Sequence, residues 1–357
     1  MSRGEKPLSN GGRTVEESHF YGGQAVMEGV MMRGKTLYSL AVRKPDGEIM
    51  VSTQHLSNYS KRFPILKLPI LRGIVAFIGS LSLGMKTLTQ SAEIAAEGIE
   101  EEPTRFEQFL ERKLGSGKAN DILIKLSIVI AIGLAMLMFV MLPLWIGGGL
   151  FALLPIEDTR LLGVFEGIVR LCIFVTYVAI VSRSKDIRRV FEYHGAEHKT
   201  INCYENLHEK DEPLTVDNVS GYSRLHNRCG TSFLLIVMFI SILVFAFVRT
   251  PYPLLRLVSR VALIPVIAGL SYEVIRWAGK HDNFLVRIIS FPGLCLQRLT
   301  TREPDEKQIE TAIVALQAVL EAEKRDKNPA EVAVVEEVAV VEEVTEVEVE
   351  GQTNYDP

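Results

Sequence analysis

Cysteine is scarce in this chain of 357 residues: Cys172, Cys203, Cys229 and Cys295 are too few and too scattered to staple a protein of this length. That excludes a disulfide-built scaffold and predicts a reducing compartment. The first 20 residues lack the apolar stretch that a cleavable leader needs, so none is expected. Basic residues are missing at the other end, where residues 329–357 hold nine acidic side chains and no Lys or Arg. The net charge of -4 therefore conceals a body of 328 residues with 39 basic against 34 acidic groups, or +5. So small an excess, gathered beside apolar runs, argues against nucleic acid as a partner and for membrane topology instead.

Apolar sequence is abundant, at 48% of residues and a mean hydropathy of +0.19. Leu126 to Ile156 is 31 residues without a charge, more than the roughly 20 that cross a hydrocarbon core. Leu161 to Ser182 is also long enough, with Glu166 and Arg170 at i,i+4 so that the two can pair on one helix face. Cys229 to Val248 and Leu257 to Arg276 supply a third and a fourth span. Residues 64–85, interrupted by Lys67, Arg72, prolines and glycines, read as interfacial or re-entrant, as do residues 284–298 with their Pro-Gly break. Lys113, Lys118 and Lys125 precede the first span, Arg183, Lys185, Arg188 and Arg189 follow the second, and Arg276, Lys280 and Arg287 follow the fourth. By the positive-inside rule, both termini and the central loop face the cytoplasm of a multi-pass protein of the cytoplasmic (inner) membrane.

The expected fold is thus mainly α, an integral membrane helical bundle of about four spans with a small cytoplasmic β-hairpin. Its parts are a Gly-rich segment and hairpin (1–62), interfacial or re-entrant helices (63–125), two spans (126–182), a central cytoplasmic loop (183–228), two spans (229–278), an interfacial segment with an amphipathic helix (279–328) and an acidic tail (329–357). The hairpin rests on residues 37–56, which alternate apolar and polar about Pro45-Asp46-Gly47. Ile309, Ile313, Leu316 and Leu320 form one stripe of the amphipathic helix. The tail, a Glu/Val repetition of like charges, is expected to be disordered.

The chemistry sits in the central loop. His194-Gly195-Ala196-Glu197-His198 spells H-x-x-E-H, placing two imidazoles at i,i+4 on one helix face, with Glu197 beside them to take a proton from a water. The same pattern on an ordinary helix needs no metal at all. His226-Asn227-Arg228-Cys229 adds a second pair about 30 residues on, at the start of the third span, and the combined N/N and N/S donors suit zinc or a similar divalent ion. The predicted metal ligands are His194, His198, His226 and Cys229, with Glu197 as the catalytic group. Cys203 falls on the opposite helix face from His194 and reads as a small buried hydrophobe. Glu205 lies too far along the axis to ligate and reads as an anchor for an imidazole N–H. His208, His55 and His19 read as solvent-exposed, while Glu273 and His281 are weaker candidates for a further ligand or proton acceptor.

Gly29-Val30-Met31-Met32-Arg33-Gly34-Lys35-Thr36 matches the P-loop expression letter for letter, yet that loop works only between a buried strand and a helix N-terminus. The preceding residues do not read as an apolar strand, a hairpin rather than a helix follows, and no nucleotide is expected there. Gly22, Gly23, Gly29 and Gly34 read as sites of tight packing, and Glu28 as a charge without a visible partner that could face the metal site.

Five segments, Gly22 to Gly34, Tyr193 to Glu205, Leu225 to Leu235, Ser271 to Arg276 and Leu299 to Ile313, resemble the bacterial YqhQ family, an uncharacterised family of membrane proteins predicted to be metal-dependent enzymes. The resemblance spans about residues 20–320 and implies that His194, Glu197, His198, His226 and Cys229 belong to one shared motif. Lys35 departs from the family's proline, and the tail after residue 328 looks peculiar to this chain. The leading expectation is a metal-dependent, hydrolase-type membrane enzyme with its partners the lipid bilayer and a substrate the sequence does not name. The alternatives are a non-enzymatic scaffold with a closed structural zinc site and, third, a transporter, for which Glu166, Arg170, Glu273 and Arg276 would have to line the path.

Overall fold

A computed structural model describes residues 21–327, except 57–63, 99–111, 114–115, 155–158, 208–212, 227–228, 249–251, 279–280 and 282. The expected disorder of the acidic tail, and the positions of His19 and His208, lie outside the described residues. The chain begins with an antiparallel meander, β1 (Gly22–Val26), β2 (Gly29–Arg33), β3 (Leu37–Arg43) and β4 (Ile49–His55), in the order 1-2-3-4. The anticipated hairpin is therefore β3–β4, closed at Gly47 with φ of 95°. It is half of a four-stranded sheet, because the Gly-rich segment is itself a hairpin. That segment escaped recognition because glycine weakens the alternation by which strands are read. Its two-residue turn puts Glu28 at φ 50°, a left-handed conformation that costs a non-glycine residue about 1 kcal/mol.

Helices follow: α1 (Leu71–Ala95), α2 (Ser116–Met136) running through a π-helical turn (Leu137–Met141) into α3 (Leu142–Ala152), then α4 (Thr159–Val181) and α5 (Lys185–Leu207). After the short α6 (Val216–Ser220) come α7 (Gly230–Phe247), α8 (Pro253–Ala262), α9 (Ile264–Ala278), α10 (Phe284–Thr300) and α11 (Glu306–Lys327). Among the described residues, three helical stretches are long and apolar enough to cross a membrane: Leu71–Ala95, Lys125–Ala152 and Leu161–Val181. The pair α8–α9, bent by 41°, makes a fourth if taken as one span. The first of these is the segment read from sequence as interfacial. Its prolines fall before the helix, and Arg72 is paired with Glu273, so neither breaks the apolar run. The anticipated third span is the shorter α7, and α10 continues through Pro292 where a break was expected.

The sheet is covered on both faces, which explains why β3 is buried almost throughout rather than alternating. Val30, Met32, Leu37 and Ala41 pack against α5 and α11, whose Tyr193, Ile309, Ile313 and Leu316 share one core. Val26, Met31, Tyr38, Leu40 and Val42 face the far end of α1 at Leu83, Ile94 and Ala95. Each fully buried aliphatic side chain contributes about 1.5–3 kcal/mol, so the α11 stripe alone holds the last helix to the sheet. Polar clamps add direction: the Glu323 carboxylate accepts from the Lys35 and Thr36 amides and from the Tyr21 hydroxyl at 3.1 Å. Gly29–Thr36 is accordingly a strand and a turn, not a strand, loop and helix.

Among the candidate spans, contacts are close where residues are small. Gly73 and Gly269 bring α1 against α9, where a Cβ on Gly73 would stand 2.9 Å from the Gly269 backbone. Glu166 corrects one sequence expectation. Its carboxylate is fully buried and pairs with Arg260 at 2.6 Å and Arg256 at 3.4 Å, both from α8, rather than with Arg170 one turn away. The Arg170 Nε instead donates to the Phe139 carbonyl at 2.8 Å.

Candidate metal centre

Helix α5, 23 residues long, carries the H-x-x-E-H motif, so the segment between the second and third expected spans presents the two imidazoles from a helix, as their i,i+4 spacing requires. The extended segment after α10 runs across it. Gly195 faces this segment, and a Cβ there would collide with the carbonyl oxygen of Arg302, which is why glycine occupies the second position of the motif. The crossing is fixed by Arg302 N–H donating to the Phe191 carbonyl at 2.8 Å, by the Lys199–Glu303 ion pair and by Arg224 donating to Thr301.

These contacts set the chemistry of both imidazoles. The Nδ1 of His194 lies 2.8 Å from the Thr300 carbonyl, and that of His198 lies 2.7 Å from the Arg224 carbonyl. A carbonyl only accepts, so each Nδ1 carries a proton, and it is Nε2 that each ring turns toward a ligand. The two rings stand 4.4 Å apart, and the Nε2 of His194 is 3.3 Å from Cys229 Sγ at the head of α7. His194, His198 and Cys229 offer three donor atoms within 4.8 Å of one another. His198 is 1% exposed, and burial pushes its pKa below the ordinary imidazole range while the neighbouring Cys229 draws it back up. Two imidazoles with carbonyl-anchored Nδ1 groups, beside a cysteine, are a donor set and outer support that a divalent metal ion can use.

His226 stands outside this group of three. Its ring is 5.7 Å from that of His198, and its Nε2 is 3.5 Å from Glu205, the anchoring role the helical spacing assigned to that carboxylate. The backbone at His226 is clasped by Gln297, which accepts from its N–H at 2.9 Å and donates to its carbonyl at 2.8 Å. Glu197 is 4% exposed and lies against β1, where a Cβ on Gly23 would stand 2.9 Å from its carboxyl carbon. Its Oε2 is buried with no hydrogen-bond partner among the described residues. Burial pushes its pKa up, while His194 and His226 draw it back down.

Other candidates lie elsewhere. Cys203 is fully buried in the apolar core with Tyr193 and Ile201, as its helical position predicted. Glu28, whose partner was not visible in the sequence, is engaged by Arg189 on α5, which grips both its oxygens, and by the Tyr193 hydroxyl, which donates to it at 3.3 Å. Glu273 is paired with Arg72, His281 is stacked on Trp277, and His55 is exposed. Sequence reasoning missed Gln297, Thr300 and Arg224. The last two act through their carbonyls, a role that leaves no mark on residue type.

The motif and its supports fall within the region, residues 68–322, that matches a family described as "Protein of unknown function (DUF1385)". The "Uncharacterized protein YqhQ" of Bacillus subtilis (strain 168) is 37% identical over 304 residues, covering 85% of this chain and 93% of that protein. The chain belongs to the YqhQ family. No solved structure matches it. The sheet lies before the family region, although its Gly23 closes one side of Glu197.

Proposed function

We propose that this chain is a metal-dependent membrane enzyme of hydrolase type, with its site on the cytoplasmic surface of the cell membrane. The observation that carries the reading is the pair of imidazoles whose Nδ1 protons are both committed to backbone carbonyls, leaving two Nε2 atoms beside Cys229 Sγ. His194, His198 and Cys229 would hold a zinc-like divalent ion, with His226, held in place by Gln297, beside them. A divalent ion there supplies Lewis acidity to a water or a substrate oxygen. Glu197 would move the proton. Burial keeps its carboxyl prone to protonation and its Oε2 is uncommitted, the state of a group that accepts a proton and returns it. Thr300 and Arg224 would keep both rings turned inward.

The second reading is a structural site. A thiolate ligand and a buried His198 favour it, because such an ion would tie α5 to the head of α7. Glu197→Gln separates the two. An enzyme keeps its metal and fails to complement a deletion strain, whereas a scaffold complements fully. Complementation at wild-type metal content would discard the hydrolase reading.

A further inference from the structure

The end of the bundle away from the metal group gathers positive charge around one carboxylate. Arg260, 3% exposed, donates Nη2 to Glu166 at 2.6 Å, and Arg256 donates to the other oxygen at 3.4 Å. Arg170, 6% exposed, takes no part in that pairing and bonds the Phe139 carbonyl at 2.8 Å and Ser241 Oγ at 3.4 Å. Arg170 and Arg260 nevertheless share a ring: their guanidinium carbons lie 5.1 and 4.0 Å from the centroid of Phe245. Among the described residues of α3, α4, α7 and α8, Glu166 is the one carboxylate set against these three guanidiniums.

The imbalance is also visible atom by atom. Nε and Nη1 of Arg260 are buried with no hydrogen-bond partner among the described residues. Burying part of a charged guanidinium without acceptors costs more than doing so with a neutral donor, and two guanidiniums over one ring repel each other most where the dielectric is low. Helix α8 turns Arg256, Ser259 and Arg260 inward and leaves Leu254, Leu255 and Val258 exposed, so its sequence is arranged to deliver these charges to the bundle.

We propose that Arg170, Arg256 and Arg260 form an anion site that takes an oxyanion of phosphate type. Guanidinium donors from two helices match the several oxygens of such a group, whereas a monatomic ion satisfies few of them. Buried Arg260 and Arg170 supply the binding charge, Glu166 fixes the arginines in register, and partly exposed Arg256 marks the approach. The oxyanion is either free or the headgroup of an anionic lipid, and the two sources share this chemistry.

The test uses the full-length chain purified in detergent. Its thermal midpoint is followed with inorganic phosphate against chloride at equal ionic strength, and after transfer to nanodiscs of phosphatidylglycerol or phosphatidylcholine. Wild type should be stabilised by phosphate or by phosphatidylglycerol. A response to phosphate without lipid identifies the free ion as sufficient, and a response confined to phosphatidylglycerol identifies the headgroup; each supports the site. Arg260→Gln should weaken the response about tenfold or more. Arg170→Gln, which leaves Glu166 both its partners, should elute as wild type and weaken it similarly. No preference over chloride and phosphatidylcholine in wild type, or an unaltered response in a well-folded Arg170→Gln, would overturn the proposal.

Discussion

Gly195 lies flush against the carbonyl oxygen of Arg302, and this one contact sets how closely the chain after α10 can approach the helix that carries His194 and His198. Two residues earlier, at the end of α10, the Thr300 carbonyl holds His194. Gly195→Ala should therefore act at the metal group without touching a ligand. We expect a loss of about 1–3 kcal/mol in stability, in the range of overpacked cores, together with reduced metal content. Unfolding midpoints and elemental analysis of the purified variant check both.

Wild type should carry about one zinc-like ion per chain, as a single tetrahedral-type site implies. His194→Ala, His198→Ala and Cys229→Ser should each lose most of it, and Cys203→Ser should keep it, being buried in the apolar core. His226→Ala should fall between them. Loss of metal in Cys203→Ser alongside retention in Cys229→Ser would refute the ligand set.

Acid should empty the site. His198 has its pKa lowered by burial, so the folded protein keeps it neutral at pH values where an unfolded chain, titrating near about 6.5, is already protonated. The unfolded state then binds more protons, and stability from this group rises with pH through that window and is lost as pH falls below the lowered folded value. Metal release followed by a chromogenic chelator should be slow at pH 8 and rapid at pH 5.

Glu197 carries the opposite sign. Its raised pKa means that the folded chain holds a proton which the unfolded chain gives up above the ordinary carboxyl range of about 4.3, so rising pH costs stability through this group until the folded pKa is passed. Glu197→Gln removes that cost. In metal-free protein at neutral pH, its unfolding midpoint should equal or exceed that of wild type; a fall of several degrees would mean that the carboxylate is charged and satisfied.

Sidedness is open to direct labelling. By the Lys/Arg distribution, a cysteine replacing Ser220 on α6 should be shielded from an impermeant thiol reagent in intact cells, and one replacing the exposed Leu153 after α3 should react above the native background. Labelling of position 220 from outside would reverse the orientation.

How far the sequence alone reached depended on whether a residue acts through its type or its backbone. His194, His198 and Cys229 were legible because imidazoles at i,i+4 and a nearby thiol announce themselves, and Cys203 was set aside correctly by helical projection. The β1–β2 hairpin was illegible because Gly22 and Gly23 carry no pattern, although Gly23 is needed where Glu197 arrives. Leu71–Ala95 was read as interfacial because Arg72 counted against a span; the helix is nonetheless long and apolar enough to cross a membrane, and the partner of Arg72, Glu273, lies some 200 residues away. Arg170 was matched to Glu166 on its own helix for the same reason: i,i+4 spacing offers a local partner, but packing supplied Arg260 to Glu166 instead.

The clasp of Glu323 by the amides of Lys35 and Thr36 also constrains the order of events during synthesis. The sheet emerges first and α11 last, so the sheet's apolar face must wait through the making of every intervening helix before its cover exists. Thr300, which anchors His194, likewise leaves the ribosome more than a hundred residues after the imidazole it orients. A nascent chain stalled before residue 300 would carry all the metal-binding side chains while lacking the His194 anchor and the sheet's final cover. The arrangement of His194, His198 and Cys229 therefore depends on residues made after them, and early termination is felt at the site before it is felt in the candidate spans.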